Sequence, residues 1–561
     1  MKTIFLIIVL MLTANIALAT PVSEDVNLTQ INVTNIDNIL PEEGGFTVSS
    51  TEWSHDGQYL LVTCSKSVSR SNSVHKHYLL DINTHTFGEI DYGVKELNSY
   101  SIPEASLSPS GDKIYFQISR NAAGNCYIVC NLDGSNLKGI GTDFTDLADI
   151  IENLGKIGSQ NNLEWSSDSS KIVFDWEKPG NYLKGVYLTN GNGTKVCELR
   201  SKAEKPVWYD SNKVFFIANE GTVVLADSDG NLIQTFQPEN EDKGYTRFSL
   251  SPDREKIIFT STADNGLFQT YISNADGSNL KKHISYAGGT DFKDFIGSWQ
   301  PDGSLLLIKQ DGDLYIVEGN ENNKKRLLYK GNATGPRWFP DGKKILFVEN
   351  KNRLNSIDVD GTNLSFITNF GLTGSYFWGR FENHKQYSIS PSGDVIAFTS
   401  ALYPTTGELI KNEPVPSTRQ NIAAPLFIVN SDGSNLTQVT PTIKGRYDTC
   451  GEWSPDGKQF TIESTLFSKD NNLGGNSYLV EFDARNSSST WKEMPVKEIP
   501  GNKEPVTIDQ VQSNKQNKEQ DSTNTSQGTE YEETGKQSPS FMFLQSLTFI
   551  VGSWLMHKSR E

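Results

Sequence analysis

Short runs of alternating apolar and polar residues recur along the chain, and each run follows the same kind of tight turn. A representative stretch reads GEWSPDGKQFTIES, where SPDG separates the large apolar residue Trp453 from an alternating run that follows the turn. Alternation with a period of two is typical of a half-buried β-strand. Pro presets φ for the turn, Asp caps it through its side chain, and Gly accepts the positive φ at its exit. The pattern therefore predicts two antiparallel strands joined by a tight turn.

Nine copies of this stretch occur, spaced 39 to 64 residues apart. The position before the turn holds Trp53, Leu107, Trp165, Trp208, Leu250, Trp299, Trp338, Ile389 and Trp453. Most copies are followed by an apolar strand, an Asp-Gly hairpin turn and another strand, as in FIVNSDGSNLTQVT. One repeat therefore predicts four antiparallel strands, which is the composition of a propeller blade.

The pairing of WSPDGxxIxF with a downstream IxxxxxDGSNLxxLT resembles the WD40-like repeat of the TolB β-propeller family. Similar repeats also form the propeller domains of prolyl-oligopeptidase-type peptidases. The resemblance covers roughly residues 51–495 and implies an all-β fold, a single large β-propeller of eight or nine four-stranded blades within residues 45–496. Residues 20–44 precede the propeller, and NLTQINVTNI within them is a candidate strand for the last blade that would close the ring.

Both ends of the chain indicate export and tethering. Residues 1–19 combine Lys2, an apolar run and ALA, as in a secretory signal peptide. Residues 497–540 are polar and poor in large apolar side chains, which predicts a disordered stalk. Residues 541–556 form an apolar segment, followed by a short basic end at 557–561. We expect a protein at the cell surface or in an extracellular, periplasm-like space, held by a tail that is either a permanent membrane helix or a sorting signal exchanged for a lipid.

Two further residue types bear on this expectation. Eight glycosylation sequons would suit an exported glycoprotein, at Asn27, Asn32, Asn192, Asn332, Asn363, Asn435, Asn486 and Asn524. Five cysteines are too few for a disulfide framework. Cys126 and Cys130 lie on one predicted strand, so about 13 Å separates them, which exceeds disulfide reach. We predict that these two are buried as small apolar residues. A disulfide between another pair of the five cysteines stays open as an alternative.

Strand alternation sends all the tight turns to one face of the ring and the long connections to the other. Three connections are unusually long, at 141–162, 369–386 and 401–425, and the last two flank the same strand pair. Long loops on a rigid scaffold often carry function. The candidate ligand-binding residues are Tyr376, Trp378, Arg380, His384 and Tyr403. An aromatic-lined pocket with an Arg suits a sugar or a peptide carboxylate. The alternative is that these aromatic side chains pack on their own blade.

Charge and motifs exclude several classes of function. A net charge of −17 argues against nucleic-acid binding, and phosphate-binding loops and a G-x-S-x-G nucleophile motif are missing. His75 and His77 share one strand face but lack a third ligand, and the Asp-Gly segments match hairpin turns better than calcium loops, so no metal or cofactor is predicted. We expect a monomeric, non-enzymatic binding or scaffold module for a protein, peptide or glycan. The alternative is a propeller-based lyase or hydrolase acting on polysaccharide or peptide.

Overall fold

The described residues form nine sheets, one around each sequence repeat, so the fold is a nine-bladed β-propeller. The computed structural model describes residues 31–40, 46–67, 73–92, 105–120, 124–145, 147–178, 184–237, 242–263, 268–286, 298–310, 312–318, 325–369, 371, 387–403, 406–407, 409, 421–467, 473–482 and 492–493. All of these belong to one compact unit, residues 1–507. The proposed signal peptide, stalk, apolar tail and basic end lie outside the described residues.

The first three blades are built in chain order, and blade 1 gains a fifth, parallel strand beside β5 from late in the chain. Blade 1 comprises β2 (Thr47–Trp53), β3 (Tyr59–Ser67), β4 (Ser73–Asp81), β5 (Thr86–Glu89) and β37 (Lys492–Glu493). Blade 2 comprises β6 (Ala105–Leu107), β7 (Lys113–Arg120), β8 (Gly124–Asn131) and β9 (Lys138–Gly139). Blade 3 comprises β10 (Ser159–Trp165), β11 (Lys171–Glu177), β12 (Lys184–Asn190) and β13 (Cys197–Ser201).

Blades 4 to 6 follow with the same strand order. Blade 4 comprises β14 (Glu204–Asp210), β15 (Lys213–Ala218), β16 (Thr222–Asp227) and β17 (Leu232–Phe236). Blade 5 comprises β18 (Asp242–Leu250), β19 (Lys256–Ala263), β20 (Phe268–Asn274) and β21 (Lys281–Tyr286). Blade 6 comprises β22 (Ser298–Trp299), β23 (Leu305–Gln310), β24 (Asp313–Glu318) and β25 (Lys325–Tyr329).

Blades 7 and 8 repeat this order, while blade 9 takes its fourth strand from the start of the chain. Blade 7 comprises β26 (Ala333–Trp338), β27 (Lys344–Glu349), β28 (Arg353–Asp358) and β29 (Ser365–Asn369). Blade 8 comprises β30 (Tyr387–Ile389), β31 (Val395–Thr399), β32 (Leu426–Asn430) and β33 (Thr437–Gln438). Blade 9 comprises β34 (Arg446–Trp453), β35 (Gln459–Phe467), β36 (Leu473–Phe482) and β1 (Ile31–Asn35). Helical elements are α1 (Leu147–Ile157) and the 3₁₀ turns Ile36–Asn38 and Asn219–Gly221.

The ring closes where the two ends of the propeller chain meet. β1 pairs antiparallel with β36 and so completes blade 9. Just after β1, the buried carboxylate of Asp37 accepts hydrogen bonds from the backbone of both flanking blades, from Val48 N at 3.0 Å and from Ser477 N at 2.7 Å. The Thr51 and Thr461 hydroxyls join the same two blades at 3.0 Å. Blades 9 and 1 are therefore held together by polar contacts as well as by packing.

The repeated turns have the predicted chemistry. In the first, Asp56 Oδ1 accepts from Ser54 Oγ at 2.6 Å and from Gln58 N at 3.0 Å, and Gly57 has φ +71°. Turns of neighbouring blades also touch, because Gln300 Nε2 in blade 6 donates to Gly342 O in blade 7 at 2.8 Å. These contacts place the turns side by side on one face of the ring.

Tryptophans before these turns link the blades with a period of three. The indole N–H of one blade donates to a backbone carbonyl of the preceding blade: Trp53 to Glu452 at 3.1 Å, Trp208 to Glu164 at 3.0 Å, and Trp338 to Ser298 at 2.9 Å. The donors belong to blades 1, 4 and 7. First strands of neighbouring blades also contact one another, as β10 and β14 do. We place these first strands at the centre of the ring, where the blades converge.

The core lies between blades and is apolar. Val173 of blade 3 packs in one cluster with Phe216 of blade 4, and both are fully buried. Each blade thus buries its faces only against its neighbours. Cys126 and Cys130 are buried, at 0% and 2% exposure, which confirms their predicted role. All five cysteines are free thiols, and Cys197 is exposed.

The connection at 141–162, interpreted from its length as a long loop, contains helix α1. Leu147, Ile150 and Ile157 are buried at 1%, 0% and 5% exposure on the side that meets blade 2. The Trp176 indole donates to Ile157 O at 2.8 Å and fixes the end of the helix. Burial of these apolar side chains favours helix here, a feature that loop length alone did not indicate. The described residues contain no helix with the length and apolarity that crossing a bilayer requires.

Candidate binding surface on the long-loop face

The structure describes one of the five predicted ligand-binding residues. Tyr403 is 36% exposed, at the start of the 401–425 loop. Tyr376, Trp378, Arg380 and His384 lie outside the described residues. The described chain nevertheless defines the base from which both loops leave, and that base places the two loops together.

The two long loops begin in contact with each other. Gly371, two residues after β29 ends, donates its N–H to Ser400 Oγ at 2.8 Å. A Cβ atom at this position would lie 1.8 Å from the carbonyl oxygen of Ala401. Any residue other than glycine would therefore force the two segments apart.

The 401–425 loop returns to its own starting point. Leu402 N donates to Ala423 O at 2.7 Å, and Ala423 N donates back to Leu402 O at 3.1 Å. Between them, the chain after Tyr403 turns sharply, since Gly407 N donates to Tyr403 O at 2.8 Å. A short antiparallel ladder thus fixes both ends of the loop.

The end of the loop also joins the next blade. Ala424 N donates to Arg446 O at 2.8 Å, and Asp448 N donates to Ala424 O at 2.9 Å. This is a parallel bridge to β34, the first strand of blade 9. The loop base therefore spans the junction of blades 8 and 9.

A buried polar network lies at this junction. Arg446 Nε donates to Asp448 Oδ1 at 2.8 Å, and the Thr440 hydroxyl donates to Asp448 Oδ2. Asp448 is fully buried and Arg446 is 8% exposed, with its guanidinium 4.8 Å from the ring centroid of Tyr478. Arg446 Nη2 is buried and finds no hydrogen-bond partner among the described residues. Since a buried donor without a partner is costly, this nitrogen is a candidate contact for an acceptor group on a ligand.

Sequence reasoning did not select Arg446 or Asp448. Their spacing of two residues places both side chains on one face of a strand, a signal that the sequence does contain. Nothing local distinguishes the pair from ordinary polar strand residues, however. The partners that hold the pair, Thr440 and the loop residue Ala424, come from the part of the chain that precedes blade 9.

The two histidines of β4 lie in packed surroundings. His77 is fully buried, 5.7 Å from the Tyr92 ring and 6.1 Å from the Phe116 ring between centroids. Burial lowers the pKa of His77 to about 3 and lowers that of His75 as well. In the part of the chain that is described, His, Cys, Asp and Glu side chains form no group of three or more suited to a metal.

Comparison with known proteins gives distant similarities. No family model matches the chain. An uncharacterized protein of Agrobacterium fabrum is 22% identical over 288 residues, which are 47% of this chain and 89% of that protein. Among solved structures, the Dos1 propeller gives a TM-score of 0.40 at 14% identity, covering 65% of this chain and 92% of its own. A putative TolB from Agrobacterium tumefaciens gives 0.25 at 17% identity, covering 51% and 94%.

Proposed function

We propose that the protein is an exported, surface-tethered propeller that acts as a non-enzymatic binding module. Its binding surface is the long-loop face at blades 8 and 9. The observation that carries the proposal is the double anchoring of the 401–425 loop. Leu402 and Ala423 pair with each other at its base, and Ala424 is bridged to β34 of blade 9. Fixed loop ends on a rigid ring reduce the entropy that binding costs.

The chemistry of the junction supports a ligand that carries a hydrogen-bond acceptor such as a carboxylate. Arg446 is held by Asp448, so its planar donor group is oriented before a ligand arrives. The exposed ring of Tyr403 and the aromatic residues of the 369–386 segment add surfaces for stacking. An acidic peptide, an acidic protein segment or a glycan fits these groups.

An array experiment tests this function. A chain from Thr20 to Gln537 would be probed against peptide and glycan arrays, and each hit would be followed for chemical change. Saturable binding without turnover supports the module. Turnover of an array member would support the polysaccharide- or peptide-directed enzyme instead.

A variant pair locates the surface. Arg380→Ala, on the long-loop segment, is expected to weaken a hit by roughly 1–3 kcal/mol if the residue is a central contact. Asp341→Ala, on the tight-turn face, is the control and is expected to leave the affinity unchanged. If the control abolished binding while Arg380→Ala did not, the ligand would be on the opposite face.

A further inference from the structure

A second site lies where blades 9, 1 and 2 meet near the centre of the ring, and it shares strand β34 with the loop pair, through Glu452 rather than through Arg446 and Asp448. The described residues there line a partly open cavity of roughly 350 Å³. Its walls are formed by Ser50, Thr51, Glu52, Leu61, Thr63, Ala105, Ser106, Tyr115, Gln117, Tyr127 and Glu452. The first strands β2, β6 and β34 each contribute, so the cavity belongs to the central wall of the propeller.

The lining is polar. Leu61 and Ala105 are the apolar members, and the rest of the lining carries hydroxyl, carboxamide, phenol or carboxylate groups. The carboxylates come from Glu52 and Glu452, which occupy equivalent positions, one residue before the tryptophan of their blades. Lysine, arginine and histidine are absent from these lining residues. A cavity of this kind offers many acceptors and rotatable hydroxyls and excludes anions.

Several lining groups are held in place by neighbouring blades. Glu52 Oε1 accepts from Ser106 Oγ at 2.8 Å and from Leu107 N at 3.3 Å, across the junction of blades 1 and 2. Gln117 Nε2 donates to the backbone carbonyl of Gln160 in blade 3 at 3.0 Å. The polar wall is thus preorganised by contacts between blades rather than by a mobile loop.

Two aromatic rings complete the wall. Tyr115 and Tyr127 lie 6.0 Å apart between centroids at 71°, so one ring presents its edge to the face of the other. Tyr115 also packs near Trp165 of blade 3, at 6.4 Å. A tyrosine combines an apolar ring face with a polar hydroxyl, which matches the alternating C–H and O–H surface of a sugar ring.

We propose that this cavity binds a small polyhydroxylated ligand, a neutral or amino monosaccharide. The volume is at the lower end of small-molecule sites, which suits one compact ligand. Carboxylates accept from adjacent ligand hydroxyls or from an amino group. Donors to the ligand come from wall hydroxyls other than those of Ser106 and Thr51, which already donate within the protein. The two carboxylates disfavour uronic acids by like-charge repulsion. This inference is independent of the binding function at blades 8 and 9.

Calorimetry with the chain from Thr20 to Gln537 tests the proposal. The probes are glucose, galactose, mannose, glucosamine and glucuronate. We expect saturable binding of at least one neutral or amino sugar and none of glucuronate. The proposal would be overturned if glucose, galactose, mannose and glucosamine all failed to bind at millimolar concentration. It would also be overturned if glucuronate bound as tightly as the best of these four sugars.

Variants connect the binding to this cavity. Glu452→Gln is expected to weaken the bound sugar roughly tenfold, because it replaces a charged acceptor by a neutral one. Glu164→Gln is the matched control, since it makes the same change at the equivalent position of blade 3, outside the lining, and should leave the affinity within about twofold. Tyr127→Phe, which removes only a hydroxyl, provides a second test if Glu452→Gln fails to fold. If every lining variant that folds, Glu452→Gln or Tyr127→Phe, retains full affinity, the sugar is bound elsewhere and the proposal is wrong.

Discussion

Removal of the Asp37 carboxylate should loosen the closure of the ring. The side chain is 5% exposed and accepts one backbone N–H from blade 1 and one from blade 9. In Asp37→Ala both N–H groups lose their acceptor in a buried place, and each such loss costs about 1–3 kcal/mol. We therefore expect the free energy of unfolding to fall by roughly 2–6 kcal/mol. Asp37→Asn retains one acceptor and should lose about half as much.

Urea denaturation followed by tryptophan fluorescence and circular dichroism measures this change. Asn38→Ala is the control, because its side chain is exposed in the same 3₁₀ turn and should shift stability by less than about 0.5 kcal/mol. Hydrogen exchange at Val48 and Ser477 should also accelerate in Asp37→Ala. If Asp37→Ala unfolded at the same urea concentration as Asn38→Ala, the two buried hydrogen bonds would not close the ring.

Three other predictions concern pH, the turns and the tail. Burial lowers the pKa of His77 to about 3, so the unfolded chain takes up this proton below its ordinary pKa of 6.5 while the folded chain does not. Stability is therefore lost by up to about 1.4 kcal/mol per pH unit as the pH falls from 6.5 toward 3. The melting temperature of His77→Phe should change less with pH over that range than the melting temperature of the control His55→Gln, whose site is exposed. Asp456→Ala removes the acceptor of Ser454 Oγ and Lys458 N, so it should lower stability by about 0.5–2 kcal/mol in denaturant titrations, and an unchanged midpoint would contradict the turn chemistry. A chain stopped at Gln537 should leave the membrane fraction in cell fractionation, and full retention would refute the tether.

The local pattern contains most of what determines the blades. Asp56 and Gly57 form the turn that their sequence predicts, because turn geometry depends on residues within a few positions of one another. Blade number follows from counting such turns. The contacts that close the ring are not local: Asp37 reaches Ser477 across 440 positions, and no periodic pattern signals that pairing.

The candidate site likewise combines features that the sequence predicts with features that it does not. Loop length and strand order predict that the segments after Asn369 and after Thr399 leave from one place, and Gly371 against Ala401 shows that contact. The sequence did not indicate that the 401–425 loop would pair with the strand that carries the buried Arg446, because that pairing joins two different blades. Helix α1 was missed for a related reason, since its apolar positions acquire meaning only against the neighbouring blade that they cover.

The measurement that tests the binding surface most directly compares two tryptophans in one pair of assays. Trp338 belongs to the interblade network, whereas Trp378 lies in the long-loop segment proposed to contact the ligand. For an array hit, Trp378→Ala should reduce affinity by roughly 1–3 kcal/mol with little change in melting temperature, and Trp338→Ala should lower the melting temperature instead. If Trp378→Ala lowered the melting temperature as much as Trp338→Ala while ligand binding survived, Trp378 would be a packing residue and the binding surface would lie elsewhere.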